Sequence, residues 1–438
     1  MSQGSSIVPV VIVGGGFAGA AMAYHLLQRA PSELPIVLVE RGPRVGRGVA
    51  FSAEHPLLRL NVPASRMSLD PAKPDDFVTW AGVPSTPNVF LPRARYAAYV
   101  QERLQQASRD RPLSVVRGDA IDVRDHAVHL ADGRRIEGSA VVLATGLGAP
   151  SRPAALVGAR VIDAWDEAEV AAIPSAARVL LVGSGLTALD ALVLLRSRGH
   201  AGEVTMLSRR GLLPRPHLEP WRPASPLPES VLAAAPATLR GLLRWGRTWV
   251  REAGVPWQLA VDALRPHLPR FWRSLSPADR VRFVRRVRPF WEVLRHRAPS
   301  ELLALTDSGL RRLQGRLVRA RDGEAAVDVE LQLRDGVHRE RFDAVVVCTG
   351  PALERLDEVQ PLVRALVSSG TAVRDPAGLG LETDEGGALL EPSGQPSSWL
   401  FGLGAMRRAS RWETTSVPEI ASHARALAER LLAARGVR

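Results

Sequence analysis

One supersecondary unit, used twice, limits what this chain can fold into more than any other feature. Val10–Val13 is an unbroken β-branched run, as expected of a strand buried on both faces of a parallel sheet. The turn GGGFAG at residues 14–19 follows, then a helical stretch at 20–29 and a second apolar strand, Ile36–Glu40. The same order returns as a strand at 178–182, the turn GSGLTA at 183–188, a helix at 189–198 and the strand Val204–Ser208. Strand, glycine turn, helix and strand together make a βαβ unit, and two of them predict an α/β protein with two Rossmann-like dinucleotide-binding domains. No shorter tandem repeat is present.

Each turn carries a fingerprint with a chemical purpose. Gly14 permits a tight exit from the strand, Gly16 lets backbone approach a pyrophosphate, and Gly19 lets helix and strand pack closely. Phe17 and Ala18 open the helix, whose N-terminus would face the diphosphate and stabilise it by about 0.3–2 kcal/mol. Glu40, with Arg41 beside it, lies about 20 residues on, where an acid can accept both hydroxyls of a ribose. The second turn keeps Gly183 and Gly185, then Leu186 and Thr187, with Ala188 in the third glycine's place. Its second strand ends on Ser208, Arg209 and Arg210 rather than an acid. Cations there would bind a 2′-phosphate that an acid would repel, each close pair being worth about 1–4 kcal/mol. The first unit therefore predicts a dinucleotide with free ribose hydroxyls and the second NADPH; the alternative for the arginines is that they cap a sheet edge and bind nothing.

Composition narrows the class further. The chain has 438 residues, enough for two or three domains, with 46% hydrophobic and 23% charged residues. Its net charge of +12 is carried almost wholly by arginine, Lys73 being the one lysine, which points to coding bias as much as to nucleic-acid binding. Cys348 is the single cysteine, so there is no disulfide, dithiol relay or thiolate zinc site within the chain. Of the ten histidines only His126 and His129 are close, in a strand-like stretch that would point them to opposite faces, so no metal is expected. The apolar N-terminus lacks a basic leader and reads as a strand; with no membrane span either, a cytoplasmic protein is expected. No pattern in the chain sets an oligomeric state.

Further elements complete the outline. Strands expected at 140–146 and 344–350 end on Ala144-Thr145-Gly146 and Cys348-Thr349-Gly350, each after a hairpin, at Asp132-Gly133 and Asp335-Gly336. Another strand is expected at 399–404 and a closing helix at 415–432. Between residues 214 and 300 the texture turns to proline-punctuated helical segments holding six of the ten tryptophans, with arginines crowding 280–297. Val284, Val287, Trp291 and Leu294 fall at helical spacing and read as core. The insertion is expected to act as both lid and core, against core alone or a membrane-interface element. The domains expected are 1–150 for the first part of an FAD domain, 151–350 for an NADPH domain with the insertion, and 351–438 for the rest of the FAD domain.

The fingerprint, the Ala144-Thr145-Gly146 exit and the late glycines Gly402 and Gly404 resemble the glutathione-reductase-like flavoproteins with two dinucleotide-binding domains. That resemblance implies FAD at the first site, with Gly404, Thr414 and Thr415 facing the isoalloxazine. Ala405 stands where that family often has an Asp reaching the ribityl chain. A narrower resemblance rests on GVAFS at 48–52, LNVPA at 60–64, RMS at 66–68 and LPR at 91–93. It continues in DALRP at 262–266, RHR at 295–297 and WET at 412–414. These are similar to a bacterial family of FAD/NAD(P)-binding proteins related to flavin-dependent N-hydroxylating monooxygenases, and they imply that residues 60–68 line the flavin. Asn61 would then bond the ring edge or cap a turn before Pro63, and His217 would sit near the nicotinamide or be structural.

The expected activity is that of an FAD-dependent, NADPH-consuming oxidoreductase, with N-hydroxylation of a small amine or amino acid by reduced flavin and O2 foremost. The F-x-G-x-x-x-H pattern of ketone- and sulfide-oxidising relatives is absent: Ile162 occupies the histidine position after Gly158. The alternatives are a reductase or dehydrogenase without oxygen transfer, and a flavin-bearing module that binds nucleic acid or protein through residues 280–297.

Overall fold

Both predicted units form, each at the centre of its own sheet, the second wholly parallel and the first parallel but for its edge strand Ala388–Leu390. The structure, a computed structural model, describes residues 7–84, 89–111, 113–148, 150, 152–306, 309–350 and 356–436. Strand Val10–Val13 lies between Ile36–Glu40 and Ala140–Leu143, parallel to both, and its four residues are buried. Leu113–Arg117 extends this sheet beyond Ile36–Glu40, and Pro396–Gly402 with Ala388–Leu390 extends it past Ala140–Leu143, giving six strands. A continuous β-branched run at the centre is what burial on both faces demands. The closing helix Val417–Ala433 packs against helix Phe17–Arg29, so the last part of the chain completes the first nucleotide unit.

The second sheet has five parallel strands in the order Leu310–Gln314, Val204–Ser208, Val179–Val182, Ala344–Val347 and Ile162–Asp163. The two hairpins expected at Asp132-Gly133 and Asp335-Gly336 lie in separate three-stranded antiparallel sheets. The two helices after the glycine turns begin earlier than the pattern suggests, at Phe17 and Leu186, because the last turn residues are already helical, with Gly16 and Gly185 as extended N-caps. The late strand ends at Gly402, and residues 404–407 form a tight helical turn instead. His126 is not in a strand: it has φ 58° in the turn between two strands and stacks on Trp399 at 4.5 Å.

The insertion forms helices Glu229–Ala233, Leu239–Ala253, Trp257–Leu264, Leu268–Ser274, Pro277–Arg282 and Arg288–Arg295. Its neck is a short parallel bridge between Pro216 and Ala298. The helical spacing of Val284, Val287, Trp291 and Leu294 is broken by a π-helical turn at Phe283–Val287, which leaves only Val284 fully buried. One apolar cluster joins Leu239, Trp272, Leu275 and Val284 of the insertion to Leu379, Ala409 and Trp412 near the end of the chain. The insertion therefore packs onto the segment that leads into the closing helix.

Candidate functional site

The first glycine turn is built with no room to spare. Gly14 has φ +101°, and a Cβ there would lie 2.6 Å from the Ala144 carbonyl oxygen. A Cβ at Gly19 would lie 1.8 Å from the Gly14 oxygen, so the helix can approach its strand only without a side chain. Glu40 accepts from the Gly15 amide at 2.5 Å and from the Gly42 amide at 2.6 Å, which fixes its carboxylate at the mouth of the turn. The loop carrying Gly48 crosses this turn: Gly48 has φ +57°, and a Cβ there would be 3.1 Å from Gly16 Cα. Gly48 was legible only as part of a motif; its steric reason is this crossing. Gly19→Ala should lower FAD affinity on the order of 10–100-fold, since overpacking costs about 1–3 kcal/mol. Gly133→Ala, at a positive φ with open space around it, should leave FAD affinity unchanged in the same fluorescence titration.

The Ala144-Thr145-Gly146 exit is braced by a residue that no motif announced. Gln360, nearly buried, receives the Thr145 hydroxyl at 3.0 Å and donates to the Gly146 carbonyl at 3.0 Å. Gly404 has φ +62° and faces Ala18 of the first helix, so the late glycine and the first fingerprint meet. Ala405 is buried within the tight turn that follows.

At the second turn Gly183 repeats the role of Gly14, since a Cβ there would lie 2.4 Å from the Cys348 carbonyl. Gly185 differs: a Cβ on it would meet nothing within 4 Å, so the face of the turn at the helix N-terminus before Leu186 and Thr187 is open. At the tip of Val204–Ser208 the Ser208 hydroxyl is buried without a partner, Arg209 is exposed, and Arg210 lies 5.6 Å over the ring of Phe290 from the insertion. Arg41 lies exposed beside Glu40.

Around His217, residues distant in sequence meet. His217 Nε2 is 3.0 Å from the Asn61 carbonyl, so that nitrogen donates, and the ring packs on Phe90 at 4.9 Å. Burial lowers this imidazole to about 4, which leaves it neutral near pH 7. The Asn61 side-chain amide forms no hydrogen bond among the described residues. Arg66, largely buried, forms no ion pair among the described residues; burial first, then Arg265, lowers it from the ordinary arginine value. Arg265 itself bonds Glu419 at 2.5 Å in the first turn of the closing helix. Thr414 is wholly buried with an unpartnered hydroxyl, and Thr415 is half-buried just before the helix. That helix has no side-chain cap at Ser416, so the amides of Val417 and Glu419 in its first turn gain no side-chain partner there. Buried polar groups normally have partners, so the Thr414 hydroxyl fits a site that a polar ligand completes. Arg66 was quoted only within a motif; its lack of a partner needed the fold to become visible.

The neighbourhood of Trp412-Glu413-Thr414 is unusual in itself. Trp412 has φ 60° and ψ −64°, closed by a 2.7 Å bond from the Glu413 amide to the Arg411 carbonyl, a γ-turn strained for an aromatic residue. Glu413 is buried, accepting from Trp291 Nε1 at 2.9 Å and Arg295 Nε at 2.5 Å. Burial alone would raise its carboxyl, but Arg295 and Arg265 hold it below the ordinary value. Among the described residues no group of three or more His, Cys, Asp or Glu could hold a metal, and no helix is long and apolar enough to cross a membrane.

Comparison with known proteins agrees with this architecture. Residues 11–148 match the model of an FAD-NAD(P)-binding family. No curated protein sequence matches the chain. Among solved structures, the fold is similar to an ornithine N-hydroxylase of Kutzneria sp. 744 in complex with reduced FAD, NADP+ and L-ornithine, at 14% identity and TM-score 0.65 over 98% of this chain and 100% of that one. It is also similar to L-lysine 6-monooxygenase from Pseudomonas syringae, at 16% identity and TM-score 0.64 over 98% and 100% of the two chains. Thioredoxin reductase of Lactococcus lactis matches less closely, at 13% identity and TM-score 0.53 over 97% of each chain. The chain has the fold of the flavoproteins with two dinucleotide-binding domains, and its residues 11–148 match an FAD-NAD(P)-binding family model.

Proposed function

We propose that this chain is an FAD-dependent, NADPH-consuming monooxygenase that N-hydroxylates a small amine or amino acid in the cytoplasm. The observation that carries the proposal is a fold shared end to end with N-hydroxylating enzymes, in which the buried Thr414 hydroxyl has no partner and the Asn61 amide and Arg66 guanidinium form no bond among the described residues. The sheet of Val10–Val13, with residues 1–150 and 351–438, is assigned to FAD, and residues 151–350 to NADPH.

FAD bound there would accept electrons from NADPH and use O2 to oxidise the substrate nitrogen. The chain's own residues position and shield. Gly14, Gly16 and Gly19 admit the diphosphate to the helix that Phe17 and Ala18 open, while Glu40 takes the ribose hydroxyls. Thr145 and Gly146 are held by Gln360 at the sheet's edge. Asn61, whose amide forms no hydrogen bond among the described residues, and the backbone amides of Val417 and Glu419 at the start of the closing helix would supply donors to the flavin ring. His217, neutral and bonded to the Asn61 carbonyl, positions this loop rather than moving protons. Arg66 is suited to a substrate carboxylate, since an almost buried guanidinium gains most from a paired anion. That favours an amino acid over a simple amine.

The balanced reaction consumes one NADPH, one O2 and one proton per amine and yields the hydroxylamine, NADP+ and water. Purified protein should therefore show, with a panel of diamines and amino acids, at least one substrate that couples NADPH loss to hydroxylamine in about equal amounts. If NADPH oxidation returns only hydrogen peroxide with every amine, or proceeds equally well without O2, the chain is a reductase and the proposal fails.

A further inference from the structure

The fold divides the arginine-rich stretch at 280–297 into two populations. Arg280 turns to the Trp272 carbonyl at 3.1 Å, Arg295 to Glu413, and Arg297 to both carboxylate oxygens of Asp262 at 3.0 Å. These arginines belong to the interior. Arg282, Arg285 and Arg286 stay outside, because the π-helical turn Phe283–Val287 buries Val284 and carries its neighbours outward. Opposite them, helix Leu239–Ala253 exposes Arg240, Arg244, Arg247 and Arg251, spaced so that they share one face.

Between these two elements lies a groove of about 430 Å³, walled by Arg240, Arg244, Arg247, Arg282 and Arg286 and floored by Leu239, Leu243 and Val287. Arg282 bonds Asp279, whereas Arg240, Arg244, Arg247 and Arg286 form no ion pair among the described residues. Four unpaired cations around an apolar floor repel one another unless something anionic lies between them. No step proposed for the flavin site uses this groove.

We propose that the groove is a docking site for an acidic amphipathic helix of a partner protein. An apolar stripe of such a helix fits the Leu239, Leu243 and Val287 floor, and carboxylates on its flanks meet the two arginine walls. Other occupants fit worse. Single-stranded nucleic acid is gripped by aromatic platforms, and no aromatic residue lines the groove. A membrane-surface element needs projecting apolar anchors, but Trp245 packs inward on Phe271 at 5.4 Å and Trp272 on Trp412 at 5.1 Å. A second copy of this chain, with net charge +12, brings the wrong sign.

The probe is a fluorescently labelled peptide of about 18 residues, with leucine at helical i, i+3, i+4, i+7 spacing and glutamate elsewhere, titrated into the full FAD-loaded protein by anisotropy. Binding should weaken with rising salt. A shuffled peptide of the same composition should bind roughly fivefold more weakly, having lost its apolar stripe. Arg244→Glu with Arg247→Glu, both exposed, should weaken binding by about tenfold or more while FAD content and NADPH oxidation stay as in wild type. The proposal is overturned if the peptide does not bind, or if the double reversal leaves its affinity unchanged. It is equally overturned if oligouridylate or phosphatidylglycerol vesicles bind more tightly than the peptide and lose that binding in the same variant.

Discussion

Arg209→Glu with Arg210→Glu is expected to invert the nucleotide preference of the second unit. The catalytic efficiency with NADPH should fall by about 100–1000-fold, because each arginine at a 2′-phosphate contributes about 1–4 kcal/mol at intermediate dielectric and each glutamate adds repulsion. With NADH, which lacks that phosphate, the change should stay within about threefold, and FAD content should not move. The geometry supports the assignment from two sides. Gly185 leaves open the face of the turn where a diphosphate would lie, and the buried, unpartnered Ser208 hydroxyl stands at the strand tip where the ribose would end. Arg210 is further held over Phe290, so the insertion touches the tip of this strand. Steady-state kinetics with both nucleotides decide the matter: unchanged NADPH use in the double variant would mean that the arginines serve only the sheet edge.

The two nucleotide units were legible in the sequence because their rules are local. A glycine needed for a positive φ or a backbone contact must be glycine, and Gly14, Gly19 and Gly183 each meet a carbonyl within 2.6 Å of where a Cβ would stand. Strand burial is likewise written in consecutive residues, as in Val10–Val13 and Val204–Ser208. Boundaries slipped where a residue serves two elements, as Phe17 and Leu186 do in ending a turn and opening a helix. The resemblance named Asn61, residues 60–68 and Thr414 for the flavin, but the lack of partners for their polar groups was not legible, since it is a set of absences. Arg66 lacks a carboxylate, Thr414 lacks a partner and Asn61 has a free amide, and no spacing in sequence encodes what fails to arrive in space. Gln360 escaped notice for the opposite reason: it braces the Thr145 exit from more than two hundred residues away. The arginine cluster at 280–297 looked like one surface feature, and only the π-helical turn explains why some of its members face the core and others the solvent.

Glu413→Leu should cause the largest loss of stability of any single change away from the glycine turns. Glu413 and Arg295 have side chains only 6% and 8% exposed, and their bond joins the insertion to the segment that enters the closing helix. Removing one partner strands the other charge in the interior, which costs about 3–5 kcal/mol. A thermal transition lowered by about 5 °C or more is the expected result. Arg295→Met combined with Glu413→Leu should recover part of that loss, because an apolar pair of similar size carries no stranded charge. Activity should respond differently. The strained turn at Trp412 is held by Trp272 at 5.1 Å, Phe283 at 4.9 Å and Arg408 at 4.4 Å, and it sets the position of Thr414 just beyond. Relaxing that turn recovers about 1–3 kcal/mol of backbone strain, so the latch and the packing must jointly oppose it. The double variant should therefore regain stability yet still release more hydrogen peroxide per NADPH than wild type, since the proposed function needs Thr414 held in place beside the turn that the ion pair steadies. If the double variant regains both stability and tight coupling, the ion pair serves folding alone.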